Sequence, residues 1–403
     1  MAECGVSDSR ILWTKTERME SEAQDEPWPL RARPDSKPAE QESHRKRTAL
    51  FIYNGSVRGK LSGGEYVYGK IRTILKDNFT VRELVLDDLV PDAPFKGRQV
   101  MKRVILVALV FASYVFYGNY DLIVTTWTPE VPFYGDFSYI QSYAGLFEPD
   151  RSSSRTGILE AFGRHLLALP LRLLAAVSLR KQTFVAASVF CKDNIASRFK
   201  KDSRIVYPPA PLNEELETKQ RDNIVLSMGR ISPEKRFEAL AQVGPRVPEA
   251  RFILAGQAAE MNLKVVNGIE EAFADVGLGD HFEFAGWISV ANKDRLQGSA
   301  KVFFHPAERD PFPLVIIEAM NHGVIPVVHN SGGARELAPD VLTFNDYDEA
   351  SRKIKQALKE WSPLVATRLH ERSMQFNSAR FRSEILGSLD DILSKKAHRP
   401  HSS

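Results

Sequence analysis

"IVLSMGRISPEK", residues 224–235, begins with five largely apolar residues and turns at Gly229 into a charged loop. A short apolar run with no helical period, closed by glycine, predicts a buried strand entering a tight turn. The same pattern opens the ordered part of the chain at "TALFIYNG" (residues 48–55), where the loop "SVRGKLSGGE" leads into a helix expected from about Tyr66 to Asp77. Further strand-like runs, "TVRELVL", "YDLIVTT" and "TFVAAS" in the first half and "ARFILAG", "FEFAG", "KVFFHPA" and "VIPVVHN" in the second, alternate with segments of helical character. Strands joined by helical crossovers run parallel and are covered on both faces, so each half predicts an open, doubly wound α/β sheet.

Size agrees with two such units. A chain of 403 residues exceeds what one hydrophobic core usually serves. With 43% hydrophobic and 26% charged residues it has the composition of a globular protein, and a net charge of +3 gives no argument for a nucleic-acid partner. Cys4 and Cys191 lie too far apart in sequence to outline a disulfide framework, which points to a reducing compartment. The amino terminus carries no secretory pattern. The strongest apolar run, "VILVALVFASYVFY" (residues 104–117), is shorter than the roughly 20 residues that span a bilayer and reads as a buried helix. The expected organisation is a disordered leader over 1–47, a first domain over 48–208, a second over 209–375, a helix over 376–394 packing back on the first domain, and a tail over 395–403. "RIVYPPAPLNEELETKQRDN" (residues 204–223) reads as the linker, and amphipathic helices are expected at 348–359 and 363–394.

In such sheets ligands bind beyond the carboxyl ends of the strands, where glycine turns and helix amino ends meet phosphates. Candidate turns are Ser62, Gly63 and Gly64 in the first half and Gly229 to Lys235 in the second. Arg230 and Lys235 flank a turn containing Pro233, so either both converge on one diphosphate, or they decorate a solvated loop. In "AERDPFPLVIIEAMNHGVIPVV" (residues 307–328), Pro311 and Pro313 keep Asp310 in a loop and start a helix that runs to about Asn321. Glu318 then sits between Ile317 and Ala319 in that helix. A carboxylate among aliphatic residues needs donors: sugar or ribose hydroxyls, water, or an ion pair with Arg230 or Arg335. His305, His322 and His329 fall near this segment without metal-ligand spacing, and Cys191 reads as a small buried hydrophobe.

"DPFPLVIIEAMNHGVIPVV" resembles the E-x7-E segment of retaining glycosyltransferases of family 4, "SMGRISPEK" their G-R-x-x-x-E-K turn, and "LSGGEYV" their first-domain glycine loop. "IVYPPA", "FAGWIS" and "NSGGARELA" fit the same family in order, over residues 48–394, with lipid-linked-oligosaccharide mannosyltransferases the most similar group within it. The resemblance implies a GT-B fold, two Rossmann-like domains facing across a cleft, and a GDP- or UDP-hexose donor held mainly by the second. It implies that Arg230 and Lys235 neutralise the diphosphate leaving group, that Asp310 binds hydroxyls of the donor sugar, and that Glu318 binds the ribose. Gly63 and Gly64, Phe312, Leu314 and Gln141 would line the substrate site, with the base near Ile288. It implies no metal cofactor and a lipid-linked or polysaccharide acceptor.

Three positions depart from the family pattern. Asp310 is a methylene shorter than the usual Glu, Pro313 replaces a glycine and lacks an N–H, and Gln141 stands where a histidine is expected. They keep open a second reading, a catalytically weak binding or scaffold subunit of glycan assembly. A nucleotide-sugar epimerase on the same fold would need an acid–base pair that the sequence does not display. The Leu- and Arg-rich stretch 162–182, with Arg98, Lys102 and Arg103, reads either as a surface for the cytoplasmic face of a membrane or as core-facing helices with solvated ends.

Overall fold

The computed structural model describes residues 46–53, 63–85, 89, 95–115, 117–126, 133–141, 177–217, 219–337 and 342–398. Lys46–Ser403 form one compact unit. Nearly all of the expected leader, and most of the basic stretch 162–182, lie outside the described residues.

The first sheet contains β1 (Thr48–Tyr53), β2 (Thr80–Val85), β3 (Leu122–Thr125), β4 (Phe137–Ile140), β5 (Thr183–Ala186) and β6 (Arg204–Ile205), in the order β2-β1-β3-β4-β5-β6. The second contains β7 (Ile224–Met228), β8 (Arg251–Ala255), β9 (Phe282–Gly286), β10 (Val302–His305), β11 (Ile325–His329) and β12 (Leu342–Phe344), in the order β12-β11-β10-β7-β8-β9. Adjacent strands pair in parallel throughout. Each order reverses once, between β1 and β3 and between β7 and β10. These are the switch points at which doubly wound sheets leave a crevice.

Burial explains why these runs are strands. β7 is buried along its whole length, and Phe252, Phe303 and Phe304 of the flanking strands are fully sequestered. Each such side chain contributes about 1.5–3 kcal/mol. Three strands escape the sequence reading: β4, β6 and the three-residue β12. β4 is four residues long and carries a polar Ser138, which is tolerated in the core because Thr125 Oγ1 donates to its hydroxyl at 2.9 Å. β6 pairs with β5, so the segment read as a linker begins as an edge strand.

The helices that matter below are α1 (Gly63–Asn78), α2 (Phe95–Val115), α3 (Val189–Phe199), α4 (Ala239–Val243), α5 (Leu263–Ala274), α6 (Val290–Ser299), α7 (Leu314–Asn321), α8 (Tyr347–Glu360), α9 (Pro363–Ser373) and α10 (Ser378–Ala397). α1 starts three residues before its expected first turn, placing Gly63 and Gly64 inside the helix. The apolar run in α2 is only half buried, since Leu106, Leu109 and Val110 face the core while Val107, Phe111 and Val115 are exposed. The expected helix 363–394 is broken between Ser373 and Asn377, where the Asn377 side chain accepts from Arg380 N–H and starts α10 afresh. α10 lies on the first sheet. Phe381 meets Tyr139 edge to face at 5.7 Å, Arg382 pairs with Asp77 at 2.6 Å, and Lys396 Nζ reaches the buried Asp136 carboxylate at 3.1 Å.

Candidate active site

Lys235 and Asp310, singled out in the second half, meet with His305 at its switch point. β7 ends at Met228 and is followed by Gly229, whose φ of +153° admits no ordinary side chain, and then by Arg230 and the short 3-10 turn Pro233–Lys235. β10 ends at His305, and the loop after it carries Asp310. Lys235 Nζ and Asp310 Oδ2 meet at 2.6 Å, while His305 Nε2 lies 3.2 Å from the same oxygen.

The Asp310 loop is held by backbone. Arg309 adopts a left-handed φ of 54° and its N–H donates to Ser331 Oγ at 2.8 Å; Gly333 N–H donates to the Asp310 carbonyl at 2.8 Å. Gly332 has φ +72°, and a Cβ there would fall 2.4 Å from the Asp310 carbonyl oxygen. The turn Ser331–Gly333 thus fixes the loop at a separation that only glycine permits.

Burial raises the Asp310 carboxyl, but the hydrogen bond from His305 and the Lys235 charge outweigh it and hold it well below the usual carboxylate range. His305 is buried with its pKa lowered, chiefly because burial disfavours the imidazolium. A neutral His305 therefore donates from Nε2 to an ionised Asp310 and leaves Nδ1, which is buried without a partner among the described residues, as an acceptor.

Arg230 is not drawn into this cluster. Its guanidinium is 73% exposed and pairs with Glu234, four residues on, at 3.0 Å. Glu318 of α7 is also paired, but with Lys293 of α6 at 2.9 Å rather than with Arg230 or Arg335. α6 runs beside α7, as the 3.5 Å approach of His322 to Asp294 also shows, and so supplies the nearer cation.

Across the junction, the amino ends of α1 and α7 meet: a Cβ on Gly63 would lie 3.5 Å from Leu314 Cδ1. Two helix amino ends, one from each half, thus lie close together. Gly64 follows Gly63 in the first turn of α1. Pro313 caps α7 without a side-chain bond. The ring of Phe312 is buried against Tyr207 and Phe376, at 5.5 and 6.0 Å, which makes it a packing residue and leaves only its backbone for a ligand. Gln141 follows the carboxyl end of β4, with Nε2 buried and unpartnered among the described residues. Ile288 follows the carboxyl end of β9, two residues after the left-handed Gly286. A separate shallow cavity of about 340 Å³, lined by Asp222, Glu249, Arg251 and His281, lies at the amino ends of β7 and β8, away from this chemistry.

Three side chains with a part here were missed or undervalued in the sequence. The sequence sets His305 beside two other histidines without metal-ligand spacing, but its place five residues before Asp310 at a strand end is a usable signal. Lys293 meets Glu318, and Glu336, just after the Ser331–Gly333 turn, meets the amino end of α3, only through the fold.

Residues 211–375 match the family described as glycosyl transferases group 1. The GDP-Man:Man(3)GlcNAc(2)-PP-Dol alpha-1,2-mannosyltransferase of Dictyostelium discoideum is 23% identical over 239 residues, 53% of this chain and 47% of that protein. The sulfoquinovosyl transferase SQD2 of Arabidopsis thaliana is 32% identical over 119 residues, 29% of this chain and 21% of that protein. The chain thus spans less than half the length of these relatives. Among solved structures, sucrose-phosphate synthase of Thermosynechococcus elongatus superposes with a TM-score of 0.66 at 17% identity, covering 87% of this chain and 100% of the other. HepE of Anabaena, solved with UDP, gives 0.62 at 17% identity, covering 85% and 100%. The chain has the GT-B fold, and its residues 211–375 match the model of the glycosyl transferases group 1 family.

Proposed function

We propose that this chain is a retaining glycosyltransferase of the family 4 type that moves a hexose, mannose or glucose, from a GDP- or UDP-sugar to a lipid-linked or polysaccharide acceptor. The observation that carries the reading is the meeting of Lys235, Asp310 and His305 at the β7/β10 switch point. Lys235 neutralises the diphosphate as the anomeric bond breaks, Arg230 leaves Glu234 to join it, Asp310 accepts from hydroxyls of the donor sugar, and Glu318 accepts from the ribose. The two cations take the part that a metal plays in other transferases. Relatives support the substrate classes: one is named for GDP-mannose and a dolichol-linked acceptor, and HepE was solved with UDP-glucose.

The reading includes peripheral contact with the cytoplasmic face of a membrane. Among the described residues no helix is long and apolar enough to cross one, while Val107, Phe111 and Val115 line one exposed face of α2 at helical spacing.

A thermal-shift series with GDP-mannose, UDP-glucose and ADP-glucose tests the donor. One of the first two raises the melting temperature, because a ligand at a hundred times its Kd stabilises the native state by about 2.7 kcal/mol. Three flat curves would exclude nucleotide-sugar binding. Tight binding without turnover in a radiolabelled transfer assay would favour the scaffold subunit, which Pro313 motivates by removing an N–H at the amino end of α7.

A further inference from the structure

The motif "NSGGARE" (residues 330–336) ends in Glu336, a residue the proposed mechanism does not use. Its carboxylate docks on the first half of the chain: Val189 N–H donates to Oε2 and Phe190 N–H to Oε1, each at 2.7 Å, at the amino end of α3. The hydroxyl of Tyr207 approaches Oε2 at 3.5 Å. A second link lies beside it, where Ser188 Oγ accepts from Cys191 N–H at 3.1 Å and donates to the Pro311 carbonyl at 2.8 Å.

These links converge on the Asp310 loop. Glu336 N–H donates to the Gly333 carbonyl at 3.2 Å and Gly333 N–H to the Asp310 carbonyl at 2.8 Å. A Cβ on Gly333 would stand 2.0 Å from the Pro311 carbonyl oxygen and 3.2 Å from Ser188 Cβ. Glycine therefore lets three chain segments close on one point. Burial pushes the Glu336 carboxyl above its ordinary range despite the two backbone donors, so the contact is made at a desolvation cost. Two charge-assisted bonds to a helix amino end, where the dipole favours an anion, offset that cost.

We propose that Glu336 is a positioning residue: docked on α3, it holds the two halves together and keeps the Asp310–Pro313 loop in register with Lys235 during sugar transfer. The role rests on the transfer reading above. Lys235 and Glu318, proposed for the diphosphate and ribose, are held by partners other than Glu336, so loss of docking acts on the transfer step more than on donor binding.

The test is Glu336→Gln in the full chain, with Glu336→Ala beside it. Gln keeps the size and one acceptor oxygen but turns an NH2 towards the other backbone N–H, while Ala removes both acceptors and the side-chain volume. Expected for Glu336→Gln are a fall in kcat of about tenfold or more, which is what losing one charged hydrogen bond amounts to, and a donor Kd within about threefold of wild type. Amide hydrogen exchange at Val189 and Phe190 accelerates while the rest of α3 keeps its protection. A residue that only stabilised the fold would lower the melting temperature and leave kcat of the folded enzyme alone. Wild-type kcat in Glu336→Gln, or unchanged exchange at the two amides, overturns the proposal. A wild-type chain that transfers no sugar overturns the transfer reading itself, and the exchange measurement then still reports whether Glu336 holds α3.

Discussion

Lys235→Ala lowers the rate of sugar transfer by about 10²- to 10³-fold, the effect of removing one preorganised donor from developing negative charge. An ammonium has three N–H donors. The bond to Asp310 at 2.6 Å occupies one and fixes the stem, leaving two for the phosphate oxygens of the proposed donor. The pair with Asp310 thus aims the cation without using it up. Arg230→Ala costs less, because its guanidinium is exposed and already has Glu234 as a partner, so its reach to a phosphate must first overcome that pair and the screening of water. Single-turnover transfer at saturating donor measures both variants. A Lys235→Ala enzyme that transfers at the wild-type rate would remove the diphosphate from the site proposed for it.

The sheets were legible because a parallel strand buried on both faces leaves an apolar run closed by a turn residue, as "IVLSM" before Gly229 and "LFIY" before Asn54 do. β4 was not, because four residues with a serine among them carry no such signal, and its burial depends on Thr125 of a neighbouring strand. Asp310 was placed in its loop by two prolines, and α7 began where Pro313 allowed. The partners of the charged residues were less accessible. Arg230 found Glu234 inside its own turn, a local outcome that spacing alone could have shown. Lys293 and Glu336 reach their partners through tertiary packing between segments far apart in sequence. Periodicity records which face of an element is covered, and says nothing about what covers it.

Asp310→Ala destabilises the fold by about 3 kcal/mol at pH 7, the lower end of what breaking a buried ion pair costs, because Lys235 is partly exposed and can turn to water while His305 cannot. The pH dependence follows from two groups whose folded-state pKa values are both depressed. Asp310 is ionised in the native state over a range in which the unfolded carboxyl, near 3.9, is taking up its proton. Its contribution is complete above that value and is lost as pH falls towards the lowered native one. His305 stays neutral in the native state while the unfolded side chain, near 6.5, becomes charged. Below that pH the unfolded chain binds more protons, and stability declines until the native imidazole is also protonated. His305→Gln keeps a donor for Asp310 and removes the second group. Urea denaturation at pH 7 and pH 5 then shows the wild type losing more stability on acidification than His305→Gln. Equal losses would mean that His305 is not held neutral against Asp310, and an Asp310→Ala variant as stable as wild type at pH 7 would mean that the cluster at the switch point is not the fixed frame on which the sugar site is built.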